Sequence, residues 1–250
     1  MFMKINVLET PEQLGQVAAL HAARFLNERI RENGKARIIL STGASQFEFF
    51  KAFVKTDVDW NKVEMFHLDE YVHLPESHPA SFRTYLKNRF LAEVNIKKAH
   101  FVNGEGDFAE NIRQLNAEIA KERIDLAMIG IGENAHIAFN DPPADFATKQ
   151  PYMIVELDEA CKRQQVGEGW FDSVADVPKQ AITMSVHQIM QSDCIISCVP
   201  HKVKAGAVRA TLEQEVTPAV PATILKTHPN WSLYLDRASA SEIQGRFQNG

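Results

Sequence analysis

The sequence predicts an α/β protein: a single domain with a mostly parallel, open, Rossmann-like sheet and helices on both faces. First, strand-like and helix-like patterns alternate along the 250 residues, which favours parallel strands joined by crossover helices. Second, the apolar run over residues 125–131 is short and compatible with an interior strand. Third, glycines and polar residues follow this run, at the position where open α/β sheets bind their ligands.

The helices and strands follow from periodicity and from glycine breaks. Residues 11–33 carry an apolar stripe that includes Leu14, Ala18 and Phe25, which predicts an amphipathic helix ending at Gly34. Further helices are expected from residue 46 and over residues 81–91, 109–121, 186–191 and 202–212. Strands are expected over residues 1–9, 37–40, 63–68, 99–102, 125–130, 153–156, 181–185, 193–199 and 232–235.

Composition and charge exclude several classes of protein. The chain is 45% hydrophobic and 24% charged, which is ordinary for a globular protein. Its net charge of −5 does not suggest binding to nucleic acid or to an anionic membrane. No apolar run approaches the roughly 20 residues of a membrane span. Since no linker or repeat divides the chain, we expect one domain over residues 1–250.

The cysteines bear on the cellular compartment and on metal binding. Cys161, Cys194 and Cys198 show no metal or redox spacing. An odd number of cysteines in a chain of this size fits reduced thiols and a cytoplasmic location. We expect no metal and no organic cofactor.

Residues 128–142 hold the most informative set of polar side chains. Two glycines end the apolar run, and an amide, a histidine and a carboxylate follow at Asn134, His136 and Asp141. His136 is a candidate proton carrier because the unperturbed pKa of histidine lies near neutrality. Most histidines are structural or solvated, and it is the neighbouring residues that favour a catalytic interpretation here.

A second candidate site follows the strand predicted over residues 37–40. Small residues there would let the backbone approach a ligand, and amides at a helix N-terminus suit a phosphate. An ordinary Ser/Thr capping turn explains the same residues equally well. The candidate phosphate-binding residues are Thr42, Gly43, Ala44 and Ser45.

A lysine and a pair of carboxylates also follow predicted strands. Lys202 lies after the strand predicted over residues 193–199, where it could neutralise a phosphate or could be a solvated surface lysine. Asp69 and Glu70 close the strand predicted over residues 63–68. Adjacent side chains of an extended chain point to opposite sides, so the two carboxylates are expected to do different jobs. One could act as a base in a cleft, and a turn or helix cap is the alternative.

Two long motifs resemble the glucosamine-6-phosphate deaminase/isomerase family, to which the 6-phosphogluconolactonases are related. Residues 130–142 read Gly-Ile-Gly-Glu-Asn-Ala-His-Ile-Ala-Phe-Asn-Asp-Pro, close to the family's Gly-Asn-Asp-Gly-His-Ile-Ala-Phe-Asn-Glu-Pro. Residues 68–82 begin Leu-Asp-Glu-Tyr-Val-His-Leu-Pro, where the family has Met-Asp-Glu-Tyr-Val-Gly-Leu-Pro. The likeness runs from about residue 3 to about residue 241.

The resemblance implies a role for each candidate residue. Asp69 would be the base that moves a proton between sugar C2 and C1. His136 would carry the proton that opens the sugar ring, oriented by Asp141 and Asn134. Residues 42–45 match the phosphate loop, and Lys202, in preference to Lys204, matches a phosphate-binding lysine. The motif implies that Glu70, His78 and Ser81 shape the loop.

The chain also departs from the family pattern at three places. Asn134 replaces an aspartate, and an amide cannot stabilise an imidazolium as a carboxylate can. Ala135 replaces a glycine, which implies strain if the backbone there needs a positive φ. The relatives carry Ala-Asn-Ser-Arg-Phe-Phe, but no arginine precedes Trp170 here. Lys162 or Arg163 could substitute, or the two could be a solvated basic pair.

The resemblance implies conversion of glucosamine 6-phosphate and water to fructose 6-phosphate and ammonia, with a phosphosugar as the partner molecule. One alternative is a 6-phosphogluconolactonase, against which Tyr71 argues because lactonases usually have Asp-Glu-Arg at this motif. Another is a phosphosugar-binding regulator without turnover. The residues leave open the choice between glucosamine and galactosamine 6-phosphate, and a homo-oligomer is possible.

Overall fold

The computed structural model of the protein describes residues 3–243 and contains two sheets. The strands of the seven-stranded sheet are β1 (Lys4–Leu8), β2 (Ala36–Leu40), β3 (Val63–His67), β5 (Lys98–His100), β6 (Leu126–Met128), β9 (Cys194–Val199) and β10 (Trp231–Asp236). All neighbouring strands of this sheet are parallel, in the order β1-β10-β9-β6-β2-β3-β5. The antiparallel three-stranded sheet contains β4 (Asp69–Tyr71), β8 (Gln180–Met184) and β7 (Tyr152–Glu156), in that order.

The helices connect these strands. A π-helical segment, Lys87–Leu91, continues the third helix, and short 3-10 turns at Ala44–Gln46 and Lys202–Lys204 precede the second and seventh. The helices are α1 (Pro11–Asn33), α2 (Phe47–Phe53), α3 (Phe82–Leu86), α4 (Phe108–Ile119), α5 (Glu159–Gly167), α6 (Val186–Met190) and α7 (Ala205–Glu213).

Alternation along β2 shows how helices cover both faces of the large sheet. Ile38 and Leu40 belong to a buried cluster with residues of α1 and α2. Ile39, between them, belongs to a second cluster with residues of α4, α6 and α7. Successive side chains of a strand point to opposite faces, so each face of the sheet has its own apolar core. The predicted fold class is confirmed.

The first helix illustrates how local sequence sets element boundaries. The Thr10 side chain accepts a hydrogen bond from the backbone N–H of Gln13, and Gly34 ends the helix at φ 73° with its N–H bonded to the Ile30 carbonyl. A hydroxyl at the N-cap and a left-handed glycine at the C-terminus satisfy backbone groups that the helix leaves unpaired. The predicted stop at Gly34 is confirmed.

Two elements were not predicted from the sequence. Strand β4 has three residues, and its pairing with β8 is a tertiary contact that no local pattern reveals. Helix α5 is mostly polar and buries Cys161 and Gln165, so it lacks the apolar stripe that signals a helix. The strand expected over residues 1–9 is seen at Lys4–Leu8, and residues 1 and 2 lie outside the described range.

The order of the strands locates the site. From β2 the chain adds β3 and β5 on one side, then returns to place β6 on the other side of β2. Such a reversal opens a crevice at the carboxyl ends of the two central strands, where open α/β sheets bind ligands. Within residues 3–243, no helix is both long enough and apolar enough to cross a membrane.

Candidate active site

A cavity lies at the carboxyl ends of β2 and β6, in the crevice that the strand order creates. It brings together the predicted loop after β2, the carboxylate after β3 and the histidine after β6, which are distant in sequence. The polar and glycine residues that line it include Thr42, Gly43, Ser45, Gln46, Asp69, Gly132, His136, Gln164, Gln165, Glu168 and Lys204.

The loop after β2 is fixed by hydrogen bonds to its neighbours. Gly43 adopts φ 96°, a left-handed conformation that favours glycine. Its carbonyl accepts a hydrogen bond of 3.0 Å from the Tyr85 hydroxyl, and the Gln46 amide donates to the Cys198 carbonyl at 3.2 Å. The predicted residues Thr42, Gly43, Ala44 and Ser45 all line the cavity.

The lysine that lines the cavity is Lys204, and the predicted Lys202 lies outside the cavity. The side chain of Lys204 is 4% exposed and lines the cavity. That of Lys202 is 66% exposed, and its Nζ lies 2.6 Å from the Ser241 hydroxyl. His201, at φ 80°, precedes the 3-10 turn Lys202–Lys204, and the third residue of this turn, not the first, lines the cavity. Burial lowers the pKa of Lys204, although Glu168 and Glu133 act in the opposite direction.

The histidine contacts the predicted carboxylate. His136 Nδ1 lies 3.1 Å from Asp141 Oδ1, although the hydrogen bond is poorly aligned. Burial alone would raise the pKa of Asp141, but its contacts with His136 and Asn134 outweigh burial and lower it. Asn134 does not act on the ring directly: its amide donates to Asp141 at 3.4 Å and accepts the backbone N–H of His136 at 3.1 Å.

Two positions in the turn that carries His136 are constrained, one by the space available for a side chain and the other by its backbone conformation. A Cβ at Gly132 would lie 2.3 Å from the His136 ring, so a larger residue would displace the imidazole. Ala135 adopts φ 64°, which is unfavourable for alanine. The strain expected from alanine in place of glycine is therefore present.

Asp69 and Glu70 point to different environments, as predicted. Asp69 is 5% exposed and lines the cavity. Burial, and then the charge of Glu70, raise the pKa of Asp69 well above its usual value. Glu70 is fully buried outside the cavity lining, where it accepts from the Ser81 hydroxyl at 2.8 Å and contacts Arg83 Nε at 3.2 Å. Glu70 and Ser81 therefore hold the loop as expected, and His78, the third residue of that prediction, accepts a hydrogen bond of 3.1 Å from the backbone N–H of Ala80.

Helix α5 covers the cavity with residues that the sequence did not single out. Gln165 accepts a hydrogen bond of 2.7 Å from the buried Tyr71 hydroxyl, and Gln164 donates to Glu168 at 2.8 Å. Lys162 and Arg163, the expected substitutes for the missing arginine, are not among the lining residues. The signal for α5 was the departure of this segment from the family pattern, but the departure did not show which residues face inward.

One cluster of the described residues could hold a metal ion. His136, Asp141 and Cys161 place their ligand atoms within 4.8 Å of one another. Metal binding requires the thiolate of cysteine, and burial, together with the nearby Asp141, raises the pKa of the Cys161 thiol. Without an ion the thiol form is therefore favoured, and a metal ion would have to displace the thiol proton to bind here. Cysteine spacing in the sequence did not reveal it, because the three residues meet only in the fold.

Sequence comparisons match the chain to one family over most of its length. The family described as glucosamine-6-phosphate isomerases/6-phosphogluconolactonase matches residues 9–233. A glucosamine-6-phosphate deaminase of Thermoanaerobacter pseudethanolicus is 33% identical, over 96% of this chain and 95% of the relative. One of Streptococcus suis is 35% identical, over 96% of this chain and 100% of the relative.

Solved structures show the same architecture. A monomeric glucosamine-6-phosphate deaminase superposes with a TM-score of 0.87 at 28% identity, covering 96% of this chain and 100% of the other. A 6-phosphogluconolactonase of Trypanosoma brucei superposes with a TM-score of 0.79 at 16% identity, covering 97% and 99%. At the lower identity, the likeness concerns the fold alone.

Proposed function

The chain belongs to the glucosamine-6-phosphate isomerase/6-phosphogluconolactonase family, and on that premise we propose that it is an aminosugar-6-phosphate deaminase. It would convert glucosamine 6-phosphate and water to fructose 6-phosphate and ammonia. One observation carries the proposal: the fold brings Asp69 and His136 into one cavity with the loop after β2 and Lys204. These are two proton-transfer groups beside a cradle of small residues and a cation.

The loop and the lysine would bind the sugar phosphate. The loop over residues 42–45 offers small side chains and close backbone approach, and Lys204 supplies a buried cation at the cavity wall. In this role Lys204 replaces the predicted Lys202. Binding energy from the phosphate would fix the sugar carbons against Asp69. The proton transfer then takes place between groups that are already positioned.

His136 would open the pyranose ring by moving a proton between the C1 hydroxyl and the ring oxygen. Asp141, at 3.1 Å from Nδ1, would orient the imidazole. Asn134 holds Asp141 and the His136 backbone, so we assign Asn134 a positioning role.

Asp69 would then move a proton along the open chain. Its carboxylate takes the proton from C2, an enolamine forms between C1 and C2, and the proton returns at C1. The resulting imine at C2 reacts with water, which leaves the ketone and ammonia. A carboxylate with a raised pKa is a stronger base once deprotonated, and burial together with Glu70 raises the pKa of Asp69.

The test is ammonia release from glucosamine 6-phosphate, with galactosamine 6-phosphate and 6-phosphogluconolactone assayed beside it. We expect ammonia from an aminosugar phosphate, lost in Asp69→Asn and His136→Gln but kept in Asp172→Asn, which changes an exposed carboxylate outside the cavity. Lactone hydrolysis without ammonia would replace the proposal with a lactonase. Phosphosugar binding without any product would replace it with a regulator.

A cytoplasmic location accompanies this proposal. Cys161, Cys194 and Cys198 are free and buried, which suits a reducing compartment. Fractionation of cells that produce the protein should recover it with cytoplasmic markers, and recovery outside the cytoplasm would contradict the assignment.

A further inference from the structure

A carboxylate lies beside the proposed phosphate-binding residues. We call residues 41–46, Lys204 and Glu168 the phosphate end of the cavity. Glu168 Oε1 is 3.9 Å from Lys204 Nζ, and a Cβ at Gly43 would lie 3.9 Å from Glu168 Oε2. The Glu168 carboxylate thus stands between the loop and the lysine that would both contact a phosphate.

Hydrogen bonds hold Glu168 in this position. Its Oε1 accepts from Gln164 Nε2 at 2.8 Å, and its Oε2 accepts from the Trp170 indole at 3.0 Å. The Glu168 side chain is 15% exposed. A carboxylate with both oxygens engaged is fixed in the cavity wall, so its charge meets any ligand that enters.

The charges at this end cancel. In the part of the cavity wall that residues 3–243 describe, Lys204 is the only lysine or arginine, and Glu168 is its nearest carboxylate. A phosphate dianion would meet a neutral pair, and the carboxylate would repel it. A carboxylate is, by contrast, a good hydrogen-bond acceptor for sugar hydroxyls.

We propose that Glu168 determines substrate specificity: by cancelling the charge of Lys204, it weakens selection for the phosphate and admits the unphosphorylated aminosugar as a second substrate. The measurable quantity is the ratio of kcat/KM for glucosamine 6-phosphate to kcat/KM for glucosamine. The substrate claim rests on the proposed deaminase function. The charge claim does not, because it concerns binding of inorganic phosphate.

A purely structural role for Glu168 makes a different prediction. Lys204 is buried, and a buried cation without a partner is costly. If Glu168 served only to satisfy Lys204, its removal would destabilise the fold and would leave phosphate affinity unchanged or weaker. If it sets specificity, its removal frees Lys204 for the phosphate.

The experiment compares wild type, Glu168→Gln and Glu133→Gln. Inorganic phosphate affinity is measured by calorimetry, and kcat/KM for ammonia release is measured with both sugars. We expect Glu168→Gln to bind phosphate at least tenfold more tightly, about 1.4 kcal/mol, and to raise the ratio of the two kcat/KM values by a similar factor. Glu133→Gln removes the same charge from an exposed residue near Lys204, and we expect less than about a threefold change because water screens it.

A second pair of variants keeps the test decisive if Glu168→Gln folds poorly. Lys204→Met leaves Glu168 without its cation, whereas Glu168→Gln/Lys204→Met removes both charges. The double variant should bind phosphate more tightly than Lys204→Met. Phosphate affinity that is no tighter in either Glu168→Gln background would overturn the proposal. Absence of ammonia from both sugars would instead overturn the deaminase function, while the phosphate affinities would still decide the role of Glu168.

Discussion

The proton-transfer end of the cavity, formed by Asp69 and residues 130–141, differs from the phosphate end in how its charges are arranged. At the proton-transfer end, Asp69 lies near a second carboxylate, and burial and that charge raise its pKa. At the phosphate end, Glu168 faces Lys204, and the two charges cancel. The nearby carboxylate makes Asp69 a stronger base, whereas the pairing of Glu168 with Lys204 determines which ligand the cavity accepts.

The two ends also differ in which elements build them. Asp69 begins β4 of the small sheet, and His136 lies in the turn that follows β6. At the phosphate end, residues 41–46 follow β2 and Lys204 follows β9, but Glu168 comes from the turn after α5, which packs over the cavity from outside the large sheet. The segment that carries Glu168 can therefore change specificity without moving Asp69 or His136.

The largest effect should come from Asp69→Asn. Because the amide cannot accept the C2 proton, we expect kcat to fall by about 10³-fold, within the range for loss of a general base. The variant should be no less stable than wild type, because burial disfavours the charged carboxylate. Ammonia release and thermal unfolding measure both. A loss of activity together with a loss of stability would indicate that Asp69 is structural.

The pH dependence of kcat/KM tests the same residue without a mutation. Asp69 acts as a base, so activity is lost as pH falls through its pKa. Since burial and Glu70 raise that pKa, the acid limb should lie well above pH 3.9, the usual value of aspartate. The limb should be absent from the residual activity of Asp69→Asn. A profile that is flat down to about pH 4 would exclude Asp69 as the base.

The phosphate end gives the next effect, through Lys204→Met. Loss of a charge-assisted contact of about 1.5–3 kcal/mol should raise KM for glucosamine 6-phosphate by about 10- to 100-fold. Lys202→Met is the matched control, since it removes an equal charge from an exposed side chain two residues earlier. Steady-state kinetics of both variants decide the assignment. A larger effect at Lys202 would restore the original prediction.

Asn134→Asp tests how far the proton-transfer end has departed from its relatives. The new carboxylate would lie beside Asp141 and would replace the amide that donates a hydrogen bond to it at 3.4 Å, so two like charges would repel each other. Because the Asn134 hydrogen bond helps to lower the pKa of Asp141, its loss should raise that pKa. We expect kcat to change by less than about tenfold. A larger fall in kcat would show that the Asn134 amide is required to hold Asp141 against His136.

The contrast between the ends also explains what the sequence could predict. Asp69 and His136 follow apolar strands within long motifs, so both their identity and their place at the sheet edge could be predicted. Lys204 could not be chosen over Lys202, because the choice depends on the backbone of His201 at the start of a 3-10 turn. Such errors of a few positions arise where an irregular turn, and not a regular helix or strand, sets the direction of the side chain.

The phosphate end was harder to predict from the sequence, because tertiary contacts define it. Helix α5 has no apolar stripe, so neither the helix nor the inward direction of Glu168 could be predicted. The same holds for Cys161, whose approach to His136 and Asp141 depends on how α5 packs on the loop after β6. Sequence motifs located the chemistry, and packing between distant segments determined its surroundings.

The smallest effect is expected at Ala135, which tests how well the proton-transfer end tolerates a substitution. Glycine at this position would relieve a strain of about 1–2 kcal/mol at φ 64°, but would lose a buried methyl worth about 0.8 kcal/mol and cost backbone entropy. These terms oppose each other, so we expect Ala135→Gly to change the free energy of unfolding in urea by less than about 1 kcal/mol. Ala117→Gly, at an exposed helical position, is the control and should cost about 1 kcal/mol. A loss of more than about 2 kcal/mol in Ala135→Gly would show that packing of the methyl outweighs strain in this turn.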